Sequence, residues 1–150
     1  MNLSSTLTAS LLISLGISLT VEAAGSIYVR EKDVSVECVI PATVGDHIVS
    51  SYGCTNDQAY TTRLLNVDSA LSITYFDDKS SSGCLDNQGW EIEILTIKQP
   101  TTTPPLEYLN IEALAGVPNG EIVVPGVRKV RFLSGGTIHG HLSCIRIERK

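Results

Sequence analysis

The sequence lacks the short motifs that mark common catalytic and cofactor sites. It contains no GxSxG nucleophile turn, no glycine-rich phosphate loop, no HExxH zinc motif and no EF-hand calcium loop. No combination of Ser, Cys, His, Asp and Glu has the spacing of a known catalytic set. We therefore predict that the protein is not an enzyme and has no catalytic residues.

Basic residues and long apolar segments are also scarce. The chain has 11 Lys and Arg against 16 Asp and Glu, for a net charge of −5. A nucleic-acid partner requires a continuous basic face, so the composition argues against one. After the N-terminal segment, no stretch approaches the roughly 20 apolar residues that cross a bilayer, so we predict no membrane span.

The N-terminal segment 1–23 is apolar, rich in Ser and Thr, and ends in Val21-Glu22-Ala23. These features are typical of a secretory signal peptide with a small-residue cleavage site. The alternative is an apolar N-terminal strand or helix. With cleavage after Ala23, residues 24–150 form one β domain that is secreted or periplasmic.

The chain has four cysteines, Cys38, Cys54, Cys84 and Cys144. An even number of cysteines behind a signal peptide predicts two disulfides, formed in an oxidising compartment. Zinc is disfavoured, because the sequence has no CxxC and no histidine at ligand spacing from these cysteines. Three connectivities are possible.

A predicted hairpin favours one of these connectivities. Segments 61–67 and 70–76 are rich in β-forming residues and are separated by Asp68-Ser69, which is typical of a hairpin. Facing residues in a hairpin have a constant sum of residue numbers, and Cys54 and Cys84 lie within one residue of this register. We therefore predict a Cys54–Cys84 bond and, by elimination, a Cys38–Cys144 bond.

Two other segments, 33–40 and 89–95, alternate apolar and polar residues. The apolar positions are Val34, Val36, Cys38 and Ile40 in the first segment, and Trp90, Ile92 and Ile94 in the second. Glu91 and Glu93 fall on the opposite face, which we expect to be exposed to solvent. This alternation predicts half-buried strands of an antiparallel sheet.

The remaining segments complete a predicted all-β chain. Residues 98–105 (KQPTTTPP) suit an exposed crossing between sheets, and residues 106–117 suit a strand that runs into a short helical turn. Pro125-Gly126 predicts a turn, and Gly135-Gly136 predicts the turn of a final hairpin. About eight or nine short strands indicate an antiparallel Greek-key sandwich or barrel.

Two groups of side chains are candidates for chemical sites. His139 and His141 are two residues apart and, with His47, could hold a metal, but an ordinary exposed strand is favoured. The second group is the acidic residues Asp77, Asp78 and Asp86. They lie in or near a serine-rich loop, where carboxylates commonly cap turns, and this interpretation is favoured over general acid–base chemistry.

The stretch from Asn56 to Gly83 resembles a βγ-crystallin Greek-key motif. Phe76 is followed after six residues by Gly83, and NDQAYT at 56–61 is similar to the paired Asn or Asp signature of that family. The resemblance implies a Greek-key fold and Ca²⁺ bound by hard oxygens. The implied ligands are Asn56, Asp57, Thr61 and Asp77. The alternative, which we favour, is that Asn56 and Asp57 only turn the chain after Cys54.

These observations predict a small exported, non-enzymatic binding protein, such as an adhesin, an inhibitor or an effector-like factor. Its expected partner is an extracellular or cell-surface protein or glycan, contacted by polar loops on a rigid β scaffold. The candidate loops are 43–57, 77–83 and 98–105. The alternative function is a calcium-binding, βγ-crystallin-like structural protein.

Overall fold

A computed structural model describes residues 24–32, 37–104 and 108–150 of the chain. The sequence-based predictions that lie outside these ranges concern the signal peptide (1–23), residues 33–36 of the strand predicted at 33–40 (including Val34 and Val36), and residues 105–107 of the segments predicted at 98–105 and 106–117. The described residues form ten strands, one α-helix and one 3-10 helix. They are β1 (Ser26–Glu31), β2 (Glu37–Pro41), β3 (Gly45–Ile48), the 3-10 helix (Val49–Tyr52), β4 (Ala59–Leu65), β5 (Leu71–Phe76), β6 (Glu91–Thr96), β7 (Leu109–Asn110), α1 (Ile111–Gly116), β8 (Ile122–Val124), β9 (Val127–Leu133) and β10 (Cys144–Arg149).

The strands form two antiparallel sheets that pack face to face as a sandwich. The four-stranded sheet has the order β2-β1-β4-β7, and the six-stranded sheet has the order β3-β10-β5-β6-β9-β8. The chain passes from one sheet to the other after β2, β3, β4, β6 and β7. The predicted all-β class is confirmed. The described residues contain ten strands instead of eight or nine, because β1 and β3 were not recognised from the sequence.

One apolar core lies between the sheets. Alternate residues of each strand point into it, as the period of two requires. The four-stranded sheet contributes Ile27, Val29, Ile40 and Leu64, and the six-stranded sheet contributes Ile73, Tyr75, Ile92, Ile94, Ile145 and Ile147. Full burial of each such aliphatic side chain contributes roughly 1.5–3 kcal/mol to folding. The Tyr75 hydroxyl lies 2.9 Å from Thr62 Oγ1, so a buried hydrogen bond also joins the two sheets.

Tyr75 makes the stability of the protein sensitive to alkaline pH. Burial disfavours the phenolate and raises the pKa of Tyr75 to about 12. An unfolded chain loses this proton near pH 10, so the unfolded state is increasingly favoured between about pH 10 and about pH 12. We expect urea midpoints to fall over this window in the wild type. The urea midpoints should fall less with pH in Tyr75→Phe, which has no phenol to ionise. Near neutral pH this variant should be about 1–3 kcal/mol less stable than the wild type, because the buried Thr62 hydroxyl loses its hydrogen-bond partner.

The control for this prediction is Tyr28→Phe, which removes a half-buried tyrosine from the outer face of the other sheet. It should keep the wild-type dependence on pH. Equal pH dependence in Tyr75→Phe and the wild type would contradict the role assigned to Tyr75.

The predicted hairpin over 61–76 is wrong. Its two runs are strands β4 and β5, but β4 belongs to the four-stranded sheet and β5 to the six-stranded sheet. Each run has an apolar face, and the two faces are buried against each other across the core instead of side by side in one sheet. Residues 66–70, which connect β4 to β5, do not form a hairpin turn because they bond to other segments. Val67 pairs with Thr101, and the N–H of Ala70 donates to the carbonyl of Thr96.

The disulfide pairing inferred from that hairpin is therefore also wrong. All four cysteines are bonded, as expected, but the bonds are Cys38–Cys54 and Cys84–Cys144. The first bond joins β2 to the segment after the 3-10 helix. The second joins the loop after β5 to the start of β10.

The predicted final hairpin about Gly135-Gly136 is wrong as well. β9 pairs with β6 and β8, whereas β10 pairs with β3 and β5, so the connection 134–143 crosses the end of the six-stranded sheet. A side chain at Gly135 would collide with the backbone carbonyl of Gly89. Close approach of two backbones, rather than a tight hairpin turn, thus requires glycine at this position.

The predictions for residues 106–133 are confirmed within the described residues. The short strand β7 runs directly into α1, where the Asn110 side chain caps the helix by accepting from the N–H of Ala113. Pro125-Gly126 is the turn of the β8–β9 hairpin. Lys129 of β9 points inward and donates to the carbonyls of Ala115 and Val117, which satisfies the C-terminal end of α1.

The segment 98–104 crosses between the sheets as predicted, but it is not a free loop. The N–H of Thr103 donates to the carbonyl of Leu64, and Thr101 exchanges backbone hydrogen bonds with Val67. Thr101 and Thr103 are buried as a result. The threonines extend the hydrogen bonding of β4 along its edge.

Candidate binding surface

The four implied calcium ligands lie in three segments of the structure. Asn56 and Asp57 lie in a turn before β4, and Asp77 lies after β5 at the same end of the sandwich. Thr61 lies inside β4, where it pairs with Asn110 of β7. Asp57 accepts a hydrogen bond of 3.0 Å from the Ser143 hydroxyl, which ties the turn to the segment before β10.

Asp57 lies close enough to Asp77 to affect the pKa of Asp77. The pKa of Asp77 is raised by burial and by the nearby negative charges of Asp78 and Asp57. Within residues 24–32, 37–104 and 108–150, no three His, Cys, Asp or Glu side chains are grouped as a metal site. Gly83 does not have a positive φ; a side chain there would collide with the Asp46 carboxylate. Calcium binding stays a prediction of the resemblance.

The three histidines have separate environments. His47 is buried, with Nδ1 at 2.8 Å from the Tyr52 hydroxyl and Nε2 at 2.8 Å from the carbonyl of Thr43. His139 contacts Glu112 at 3.0 Å, and His141 Nδ1 lies 3.9 Å from Asp77. His139 and His141 are exposed, as predicted, but they lie in the crossing connection and not in a strand.

Charged residues cover the outer face of the six-stranded sheet. We call one series of directly paired residues the charged row: Asp46, Arg146, Thr74, Glu93 and Arg131. Arg146 Nε lies 2.7 Å from Asp46 Oδ1, and Arg131 Nε lies 2.8 Å from Glu93 Oε2. The Arg146 hydrogen bond lowers the pKa of Asp46, and the carboxylates raise the pKa of Arg146. The charges of this face are therefore largely neutralised within the molecule.

The expectation that Glu91 and Glu93 face solvent is wrong. They lie on the outer face, but they are only 1% and 6% exposed because the Arg131 side chain covers them. Burial by itself raises the pKa of Glu93, but hydrogen bonds from Ser72 and Arg131 and the charge of Lys150 hold that pKa below its usual value.

The outer face of the four-stranded sheet has a different character. It carries five neighbouring side chains that we call the arginine–tyrosine surface: Tyr28, Arg30, Glu37, Arg63 and Tyr108. Arg30 Cζ lies 3.8 Å from the centroid of the Tyr108 ring. Arg63 Cζ lies 4.4 Å from the Tyr28 ring and 5.5 Å from the Tyr108 ring. Guanidinium groups and aromatic rings thus alternate in contact, which favours both by cation–π attraction.

Hydrogen bonds hold this arrangement in place. Arg30 Nη2 donates to the Tyr108 hydroxyl at 2.9 Å, and that hydroxyl donates to Glu37 Oε1 at 2.6 Å. Burial and the Glu37 carboxylate raise the pKa of Tyr108, so its hydroxyl stays neutral. Among the residues that the structure describes, two guanidinium groups on this surface face one carboxylate, which gives it a local excess of positive charge. Among the described residues, neither Arg30 Nε nor Arg63 Nε has a hydrogen-bond partner.

Sequence reasoning missed this surface. The segment 26–31 (SIYVRE) alternates Ile27 and Val29 with Tyr28 and Arg30. That period of two was a usable signal for a half-buried strand with a Tyr and Arg face. The contribution of Tyr108 had no local signal, because it depends on the crossing after β6.

An apolar pocket of about 250 Å³ lies beside the arginine–tyrosine surface. It is formed where the edges of the two sheets meet α1. Its apolar lining consists of Leu109, Ala113, Leu114, Val117, Val123 and Val124. Tyr108 and Asn110 complete its wall, so Tyr108 belongs to both the pocket and the arginine–tyrosine surface.

Comparisons with protein-family models, with curated proteins and with solved structures found no match for this chain. Neither helix in the described ranges has the length and hydropathy needed to span a bilayer.

Proposed function

We propose that the protein is a small exported, non-enzymatic binding protein whose partner docks on the arginine–tyrosine surface. The observation that carries the proposal is the half-buried stack of Arg30, Arg63, Tyr28 and Tyr108 on an open sheet face. Tyr and Arg are the residue types that contribute most to binding energy at protein interfaces. Their mutual contacts also reduce the side-chain entropy that is lost on binding.

The contrast between the two outer sheet faces supports this assignment. The charged row pairs its arginines with carboxylates at hydrogen-bond distance, so a partner would have to break those pairs to bind there. The arginine–tyrosine surface has more guanidinium groups than carboxylates. Its partner is therefore an extracellular or cell-surface protein or glycan that presents carboxylate groups.

Two features support export and an interface on the sheet face. Two disulfides suit an oxidising compartment. The three polar loops predicted to bind a partner do not form one surface. Gly83 of the loop 77–83 contacts Asp46 of the loop 43–57. Residues 101–103 of the third loop instead lie beside the C-terminal end of β4. A single partner can therefore cover the arginine–tyrosine surface more readily than it can contact all three loops.

The test is to capture secreted and cell-surface proteins and glycans with the immobilised protein and with Arg30→Met/Arg63→Met. Methionine keeps an unbranched apolar side chain and removes the charge. Loss of two residues of this type at an interface is expected to cost about 2 kcal/mol or more, so the affinity should fall about 30-fold or more. Quantitative mass spectrometry of the captured material, followed by titration of the main partner, measures the effect.

The matched control is Arg128→Met/Lys98→Met, which removes two exposed positive charges from other parts of the chain. A second control, His139→Ala/His141→Ala, changes two exposed side chains in the 134–143 connection. Both controls should bind like the wild type. Equal capture by the wild type and by a correctly folded Arg30→Met/Arg63→Met variant would refute the proposed function.

A further inference from the structure

The apolar pocket lies where the terminal strands of the two sheets meet α1. β7 is the terminal strand of the four-stranded sheet, and β8 is the terminal strand of the six-stranded sheet. α1 follows β7 directly, and the pocket remains between the helix, β7 and β8. At about 250 Å³, it is smaller than the roughly 300–1,000 Å³ of typical small-molecule sites. Its size suits one large apolar side chain.

Tyr108 lines the pocket and also contacts the positively charged Arg30. Arg30 lies over the Tyr108 ring and donates to its hydroxyl, so a guanidinium group stands on the same side chain that lines the pocket. A ligand that fills the pocket and reaches Arg30 must carry an apolar group and, close to it, a negative group.

The edge of β8 adds a third requirement for the ligand, which is a backbone that can form hydrogen bonds. β8 pairs with β9 on one side only, and within the described residues no strand lies on its other side. Ile122 of β8 is 52% exposed, while Val123 and Val124 line the pocket. Unpaired backbone groups beside a side-chain pocket are the arrangement by which sheet edges bind extended peptides. An aliphatic acid would leave those backbone groups unused.

We propose that the pocket receives a large apolar side chain from an extended segment of the partner, and that a carboxylate one or two residues away binds Arg30. The segment runs along the free edge of β8. This inference rests on the proposed function and specifies the partner as a protein with an exposed apolar–acidic sequence.

The probe is a phage-displayed library of random heptapeptides, selected on the wild type. Ala113 is exposed and lines the pocket, so tryptophan would fill the pocket from the helix side. We expect enriched peptides to place Leu, Ile, Met or Phe within two residues of Asp or Glu. Their affinity should fall about tenfold or more in Ala113→Trp and in Arg30→Met, and should stay unchanged in the matched control Ala113→Ser.

A second measurement does not depend on any variant. Methyl NMR resonances of Leu109, Val123 and Val124 should shift when the selected peptide is added to the wild type, whereas the Ile73 methyls in the core should not. The inference is overturned if no such peptides are enriched, if Ala113→Trp binds them normally, or if the pocket methyls respond to decanoate and not to peptide. If Ala113→Trp binds the partner like the wild type while Arg30→Met/Arg63→Met does not bind it, the proposed function stands and this inference fails.

Discussion

Replacing Cys84 and Cys144 together by alanine is expected to lower the free energy of unfolding by about 4 kcal/mol. Their bond spans a sequence separation of 60, whereas the Cys38–Cys54 bond spans 16. A cross-link that closes a longer loop removes more entropy from the unfolded chain, so the corresponding loss for Cys38→Ala/Cys54→Ala is about 3 kcal/mol. Alanine is preferred to serine because Cys84 and Cys144 are buried and a hydroxyl would have to be desolvated.

Guanidinium unfolding of the two double variants, followed by circular dichroism under non-reducing conditions, measures this difference. The wild type treated with a reductant serves as the comparison and should lose more stability than either variant. Peptide mapping checks the pairing independently. A Cys54–Cys84 cross-link in the mapped peptides would contradict the connectivity on which the order of the two effects rests.

Trp90→Ala is expected to destabilise the protein by about 3–5 kcal/mol. Trp90 is fully buried, and its indole Nε1 donates to the carbonyl of Thr137 at 3.1 Å. The alanine variant therefore loses apolar burial and also releases the 134–143 connection that the indole holds. Faster amide hydrogen exchange in this connection should accompany the loss of global stability.

Two further substitutions separate the contributions of Trp90. Trp90→Phe keeps most of the apolar volume and removes the donor to Thr137 and one ring of the indole, so it should cost about 1–3 kcal/mol. Val44→Ala, at a position 62% exposed, should cost little. A Trp90→Ala variant as stable as Val44→Ala would contradict the core position of the indole.

Strand identity could be predicted from local alternation, but strand pairing could not. Residues 91–96 are a strand with Trp90, Ile92 and Ile94 buried, as their period of two indicates. The burial of Glu91 and Glu93 was not predictable, because the covering Arg131 is distant in sequence and reaches them only through the pairing of β6 with β9.

The wrong disulfide pairing has the same origin. A period of two shows that β4 and β5 are strands, but it is identical for two neighbours in one sheet and for two strands that face each other across a core. The contact between Thr62 and Tyr75 across the core can be predicted only when the sheet to which each strand belongs is known. The arginine–tyrosine surface was missed for a related reason, since Arg30 and Tyr108 are brought together by β1, β4 and β7 and not by any local motif.

The position of β10 bears on how the protein is made. During synthesis from the N-terminus, β3 and β5 leave the ribosome long before β10, yet β10 lies between them in the six-stranded sheet. Until residue 149 has emerged, both strands lack this neighbour and Cys84 lacks its bonding partner. Such long-range pairing delays folding and leaves strand edges open in the nascent chain. The six-stranded sheet and the Cys84–Cys144 bond can therefore be completed only after the C-terminal strand has been made.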